Sequence, residues 1–493
     1  MIYDNKKLIS LFMSMTVLSA VVSCSSAPQQ SIDSSVNEST VDENSETQTE
    51  NAVTESTALT TEEITTETTT APPKKIKKGN IYDANGNLLM YTERGANGSE
   101  KRKVADNYAV PFANIITEMS DGYDRKFNEI LSTPSDESKE VGKSIQLTID
   151  SDVQNAVYNY MENANIIGSV VVMRTDGSIL SQVSYPSYDP STVSKTEYDE
   201  ELAWGEYGNK AFQNFEPGSC FKIMSEVISD KHGIYSVWDE GEWTDDGATI
   251  VNWDHDTNAY YPMERSLYSA FTSSSNIFFA KAFDQIGTDE VLNDLDRIFH
   301  FVSDIRCDFG DIQNNITITC NDDLRRSAFG QSYILTCPIY LAALGREAVF
   351  GDMVRPFVLK NVVDTNNPKK VIERGSQANE VIATIPEEYR QNLLDGMLGV
   401  ASGLGIYTSG NFTFYAKTGT AETWEGDFLY ITGCLKNGND TAGSSYDYLN
   451  YSQNGSYIIV MQLRNPQYHG LDFASESSYL YQGIVNAVLE NQN

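Results

Sequence analysis

The sequence predicts an α+β fold in which strands from remote parts of the chain meet in one sheet, and three observations carry this. Two strand-like segments, 168–173 and 178–183, lie on either side of Thr175-Asp176-Gly177, which reads as a hairpin. Strand-like runs return only far downstream, at 412–418, 427–435 and 456–463. Helical patterns fill the space between, around 264–287 and 334–348, and a last one spans 475–491. Strands at both ends of a region with helices between them give a sheet assembled from distant segments.

The chain opens like an exported protein. Lys6 and Lys7 precede a largely apolar run over 8–22, short for a membrane span of roughly 20 residues, which runs into Val21-Val22-Ser23-Cys24. The residues before Cys24 resemble a bacterial lipobox, in which the cysteine is diacylated and becomes the first residue. We therefore expect a signal peptide over 1–23 and a lipid anchor at Cys24, with an uncleaved anchor or plain secretion as alternatives. Residues 24–77 are dominated by Ser, Thr and Glu, with no basic residue between Asp33 and Glu67. So little apolar surface cannot offset ordering entropy, and a disordered tether with a root-mean-square reach of roughly 40 Å is expected.

A short, polar segment follows over 78–141, with strands expected at 79–82 and 88–92 about an Asn85-Gly86 turn. The main domain is expected over 142–493. It starts with a strand at 145–149 and a helix through about Met161, for which Asp150-Ser151-Asp152 offers an N-cap.

Chemistry concentrates at Ser219-Cys220-Phe221-Lys222, after Pro217-Gly218. On a helix this spacing puts the serine and lysine on one face, one turn apart. A serine hydroxyl is a weak nucleophile until a base takes its proton, and a buried lysine amine can be that base. Such a lysine must be neutral near pH 7, a fall of roughly 3 units from about 10.4, which demands a dry cleft. Phe221, Met224 and Ile228 form an apolar stripe behind Ser219, so the helix is expected to be buried. Ser274-Ser275-Asn276 and Lys417-Thr418-Gly419-Thr420 follow downstream. Each motif alone is weak to moderate evidence, and a helix cap would also account for Ser274 and Asn276. A Ser-x-x-Lys, Ser-x-Asn, Lys-Thr-Gly order is the signature of penicillin-binding proteins and class A β-lactamases.

On these motifs the chain resembles the class B penicillin-binding proteins, which are peptidoglycan D,D-transpeptidases. The similarity extends to Lys78-Gly79-Asn80-Ile81-Tyr82-Asp83-Ala84-Asn85-Gly86, Gln146-Leu147-Thr148-Ile149-Asp150 and Tyr185-Pro186-Ser187-Tyr188-Asp189-Pro190. Glu216-Pro217-Gly218, Gly330-Gln331, Thr336-Cys337-Pro338 and Arg355-Pro356 add to it. It implies the penicillin-binding, serine β-lactamase-like fold, an antiparallel sheet flanked by helices plus an all-helical subdomain. Ser219 would be the nucleophile and Lys222 its base, with Ser274 relaying the proton and Asn276 orienting substrate or Lys222. Lys417, Thr418, Gly419 and Thr420 would hold the substrate carboxylate, and the N–H groups of Ser219 and Thr420 would form the oxyanion hole. The substrates would be peptidoglycan stem peptides, β-lactams covalent inhibitors, and a membrane glycosyltransferase a candidate partner, at the outer face of a bacterial cell membrane. The chain departs from the family in its lipoprotein-like start and in a 78–141 segment much shorter than the usual pedestal.

Composition narrows the field further. The net charge of −34 excludes the positive footprint that nucleic acid requires. Four histidines without helical pairing and no Cys-x-x-Cys leave no metal pattern, and no cofactor is expected. Five cysteines remain after Cys24; Cys307 and Cys320 could pair or stay free, and Cys220 reads as packing. Two other classes of activity stay open: a D,D-carboxypeptidase or β-lactamase that passes the same acyl-enzyme to water, and a non-catalytic penicillin-binding sensor or scaffold.

Overall fold

A computed structural model describes residues 76–117, 122–135, 138–193, 208–255, 261–375, 380–408, 410–440 and 455–491. The expected signal peptide, Cys24 and almost all of the expected tether lie outside these residues.

The first strands are β1 (Ile81–Tyr82), β2 (Leu88–Arg94) and β3 (Glu100–Val104), followed by β4 (Ser144–Leu147). Gly86 sits at φ 89° in the β1–β2 turn, a conformation that favours glycine. Helix α1 (Ser151–Asn163) begins where Asp150 accepts hydrogen bonds from the N–H groups of Asp152 and Val153, as its sequence asks. The hairpin β5 (Gly168–Arg174) and β6 (Ile179–Tyr185) comes next. Downstream lie α2 (Lys222–Lys231), α3 (Leu267–Thr272), α4 (Asn276–Ile286) and α5 (Pro338–Phe350). Strands β7 (Leu359–Val363) and β8 (Val371–Arg374) precede α6 (Glu387–Leu404). The chain closes with β9 (Phe412–Thr423), β10 (Gly426–Asn437), β11 (Tyr457–Leu463) and α7 (Ser478–Glu490).

The main sheet is antiparallel throughout, in the order β9-β10-β11-β5-β6, so C-terminal strands join the 168–185 hairpin. It is buried on both faces, which explains the unbroken apolar run in β5. Val170 and Val172 pack with α1 and α7, whereas Val171 and Met173 pack into the larger core beneath α5. Helices α2, α3 and α4 contribute buried residues to that same core, and short two-stranded ladders lie among the helices. A second sheet, β8-β7-β4-β1-β2-β3, joins the 78–141 segment to strands of the main domain, with β1 parallel to β4. No helix among the described residues is long and apolar enough to cross a membrane.

Two expectations are revised. The helix expected over 264–287 is interrupted: Met263–Ser266 is a strand, and α3 and α4 are separated by Ser273, Ser274 and Ser275. The helix expected to carry Ser219 begins as a 3-10 turn, Gly218–Phe221, and becomes α-helical only at Lys222.

Candidate functional site

The three motifs arrive from different layers. Ser219 rides on the turn before α2, a helix whose residues 223–230 are all buried. Two glycines set that turn against β9. Gly218 has φ 53°, and a Cβ there would fall onto the Thr420 carbonyl. A Cβ on Gly419 would sit 2.7 Å from the Pro217 carbonyl oxygen, so neither position accepts a side chain without movement. Gly218 N–H also donates to the Gly330 carbonyl at 3.1 Å, which places the Gly330-Gln331 segment directly beside the nucleophile turn.

Lys222 is fully buried, and its Nζ lies 3.0 Å from Ser219 Oγ. The same nitrogen donates to the Ser274 carbonyl at 2.7 Å and to Asn276 Oδ1 at 2.7 Å. Asn276 Nδ2 donates to the Val251 carbonyl at 3.0 Å, which fixes the amide orientation. Both oxygens facing Lys222 can only accept, so they take the two hydrogens of a neutral amine and leave its lone pair toward the Ser219 hydroxyl. Burial, and then the charge of Lys417, hold the Lys222 pKa well below the usual lysine range, against an opposing pull from Asp239.

Ser274 is the hinge of the arrangement. Its Oγ lies 3.1 Å from Lys222 Nζ and 3.1 Å from Lys417 Nζ, joining the two amines. It has φ 58°, a left-handed conformation that costs a non-glycine residue about 1–2 kcal/mol. The chain tolerates this because the flanking backbone is pinned. Ser275 Oγ accepts from Phe278 N–H as the cap of α4, and Asn252 Oδ1 accepts from Asn276 N–H at 2.7 Å.

Asp239 anchors that loop from below. It accepts hydrogen bonds from Ser275 Oγ, Gly241 N–H, Asn252 Nδ2 and Arg265 Nε. Burial pushes its pKa up, but these bonds and the guanidinium outweigh it and hold the carboxyl below its usual range. Arg265 also donates to Ser273 Oγ at 3.0 Å. Sequence reasoning missed Asp239, Asn252 and Arg265, because they precede the motif they support at separations set only by folding.

Lys417 is also buried, with Nζ 2.9 Å from the Thr418 carbonyl and 5.5 Å from the centroid of the Phe271 ring. Burial pushes its pKa down to about 8. Strand alternation separates the motif: Lys417 and Gly419 are buried, whereas Thr418 and Thr420 line a cleft of about 700 Å³ with Ser219, Ser274 and Asn276. Thr420 Oγ1 also accepts from Ala474 N–H at 3.3 Å. Trp253 and Phe473 line the same cleft with ring centroids 5.2 Å apart. Strand β9 is the edge of its sheet, open to pairing with an extended peptide. Cys220 is buried beside the Lys417 carbonyl, 3.5 Å away, and burial pushes its thiol pKa up, as suits a packing residue. Cys307 and Cys320 are both free thiols.

The family described as the penicillin binding protein transpeptidase domain matches residues 168–489. Among curated proteins, stage V sporulation protein D of Bacillus subtilis is 22% identical over 351 residues, covering 68% of this chain and 48% of that protein. A peptidoglycan D,D-transpeptidase FtsI homolog of Mesostigma viride is 22% identical over 385 residues, covering 70% and 59% respectively. The chain thus spans about half the length of these relatives. Among solved structures, the D,D-transpeptidase domain of a peptidoglycan glycosyltransferase from Eggerthella lenta aligns with TM-score 0.67 at 18% identity, over 84% of this chain and 99% of that one. An imipenem acyl-enzyme complex of penicillin-binding protein A from M. tuberculosis aligns with the same TM-score, 0.67, identity, 18%, and coverage. These likenesses establish the fold as that of the penicillin-binding transpeptidase domains.

Proposed function

We infer, from the premise that this chain belongs to the penicillin-binding protein transpeptidase domain family, that it is a serine D,D-transpeptidase that cross-links peptidoglycan stem peptides and is acylated by β-lactams. One observation carries the reading: a buried amine 3.0 Å from Ser219 Oγ that is also held at 2.7 Å by two oxygens able only to accept, the Ser274 carbonyl and Asn276 Oδ1. Lys222 takes the Ser219 proton as Oγ attacks the carbonyl carbon of the penultimate D-alanine. Backbone N–H groups of Ser219 and Thr420 receive the developing oxyanion, a donor of this kind contributing about 3–4 kcal/mol. The proton then passes through Ser274 to the departing D-alanine amine, and an acceptor amine later takes the acyl group from Ser219. Lys417 charges the floor of the site through Ser274, while Thr418 and Thr420 meet the terminal carboxylate.

The test is covalent labelling with a fluorescent penicillin. The intact protein should form an adduct lasting hours, and Ser219→Ala should form none while keeping its fold. Release within seconds would instead indicate a hydrolase, and an unlabelled parent protein would refute acyl transfer at this site. We further propose that Cys24 carries the lipid anchor, which holds the domain at the outer face of the membrane beside a glycosyltransferase. Uptake of radioactive fatty acid by Cys24→Ala at the parental level would eliminate the anchor.

A further inference from the structure

The cleft is lined by a carboxylate that the proposed reaction has not used. Residues Thr418, Thr420 and Glu422 project from the same face of β9, and all three line the cleft. Among the described lining residues Glu422 is the one acidic side chain and Arg326 the one basic side chain. Arg326 is committed, with Nε 2.9 Å from Asp322 Oδ2 and Nη2 3.0 Å from the Thr249 carbonyl. Glu422 is exposed and makes no ion pair or hydrogen bond with the described residues. A free carboxylate thus stands four strand positions beyond Thr418, about 13 Å along β9 at 3.3 Å per residue.

Resting on the transpeptidase reading, we propose that Glu422 selects donor peptides carrying a side-chain ammonium on the residue two before the C-terminus. A donor lying extended along β9, with its terminal carboxylate at Thr418 and its scissile carbonyl at Ser219, continues toward Glu422. Two residues of extended peptide cover about 7 Å, and an outstretched four-carbon amine side chain adds roughly as much again. That reach is comparable with the roughly 13 Å between Thr418 and Glu422 along β9. The site therefore reads a doubly ended ligand, anionic at Thr418 and cationic at Glu422, and disfavours a donor whose amine is blocked.

The experiment uses the whole protein and two peptides, N-acetyl-lysyl-D-alanyl-D-alanine with its ε-amine free or acetylated. Each is titrated against the rate of Ser219 labelling by a fluorescent penicillin. The free-amine peptide should protect at about fivefold lower concentration, the upper range for a solvent-facing ion pair, and high salt should shrink the ratio. Glu422→Gln should bring the ratio near one, and Glu422→Lys should invert it. Equal protection by both peptides, no protection by either, or a ratio unaltered in Glu422→Gln overturns the inference while labelling itself stands. A parent protein that takes no penicillin overturns the transpeptidase reading, and this inference with it.

Discussion

Asp239→Ala removes a carboxylate that touches no reacting atom, yet it should cost both stability and rate. The side chain is fully buried and accepts from Ser275 Oγ at 2.7 Å, Gly241 N at 2.9 Å, Asn252 Nδ2 at 2.8 Å and Arg265 Nε at 2.6 Å. The Arg265 side chain is only 10% exposed, so truncation strands a guanidinium out of water. Breaking a buried pair from one side costs about 3–5 kcal/mol. Arg265 keeps Ser273 Oγ at 3.0 Å and a distant Asp254 at 3.9 Å, which argues for the lower end, about 3 kcal/mol. With an unfolding entropy of about 2.1 cal/mol/K per residue, a unit the size of 74–493 should melt roughly 3–4 °C lower. Because Asn252 and Ser275 hold Ser274 in its left-handed conformation, labelling by a fluorescent penicillin should slow at least about tenfold. Asp239→Asn keeps one acceptor oxygen and should fall between. A variant that melts within about 1 °C of the parent and labels at the parental rate would refute the role of this anchor.

Two further outcomes follow from the paired lysines. Lys222→Arg installs a guanidinium that cannot shed its proton near neutral pH, so acylation should drop by about 10²–10⁴; a loss under about threefold in labelling kinetics would exclude Lys222 as the base. The pH dependence of labelling should be bell-shaped. Lys222, with its depressed pKa, is neutral above that value and is lost as a base on acidification. Lys417 is protonated below about 8, so the charge beside Ser274 is present below that pH and disappears as pH rises through it. Lys417→Arg, charged throughout, should abolish the alkaline limb, and a parental rate flat from about pH 7 to 10 would contradict the assignment.

Local signals in the sequence were strong where structure is decided locally. The Asp150 cap, the Thr175-Asp176-Gly177 turn and the Asn85-Gly86 turn each specify a neighbour's geometry within a few residues, and each element formed there. The Ser-x-x-Lys, Ser-x-Asn and Lys-Thr-Gly residues share one cleft because the order of those motifs carries fold-level information that spacing alone lacks. The break between α3 and α4 was invisible for the opposite reason. Nothing in Ser273-Ser274-Ser275 forbids a continuous helix; the interruption is imposed by Asn252 and Asp239, brought in from another strand and loop. Helix α6 escaped notice because Gly396, Gly399 and Gly403 lower its helix propensity. In the fold two of them provide room: a Cβ on Gly396 or Gly399 would lie 2.7 Å from Phe271 or Thr272. Glu422 directly follows the Lys-Thr-Gly-Thr motif and Ala421 in sequence, but its place in the cleft is visible only once β9 is folded beside Ser219.

The contact of Gly218 and Gly419 with the opposing backbones bears on how this domain can change over time. Where two main chains touch, no rotamer can swing aside, and the gap between nucleophile and ligand-holding strand is fixed by atoms common to every amino acid. Side chains in the surrounding layers are free to exchange volume with one another without transmitting the difference to that gap. Drift in the interior is thereby decoupled from the alignment of the reacting groups, so long as these two positions remain bare.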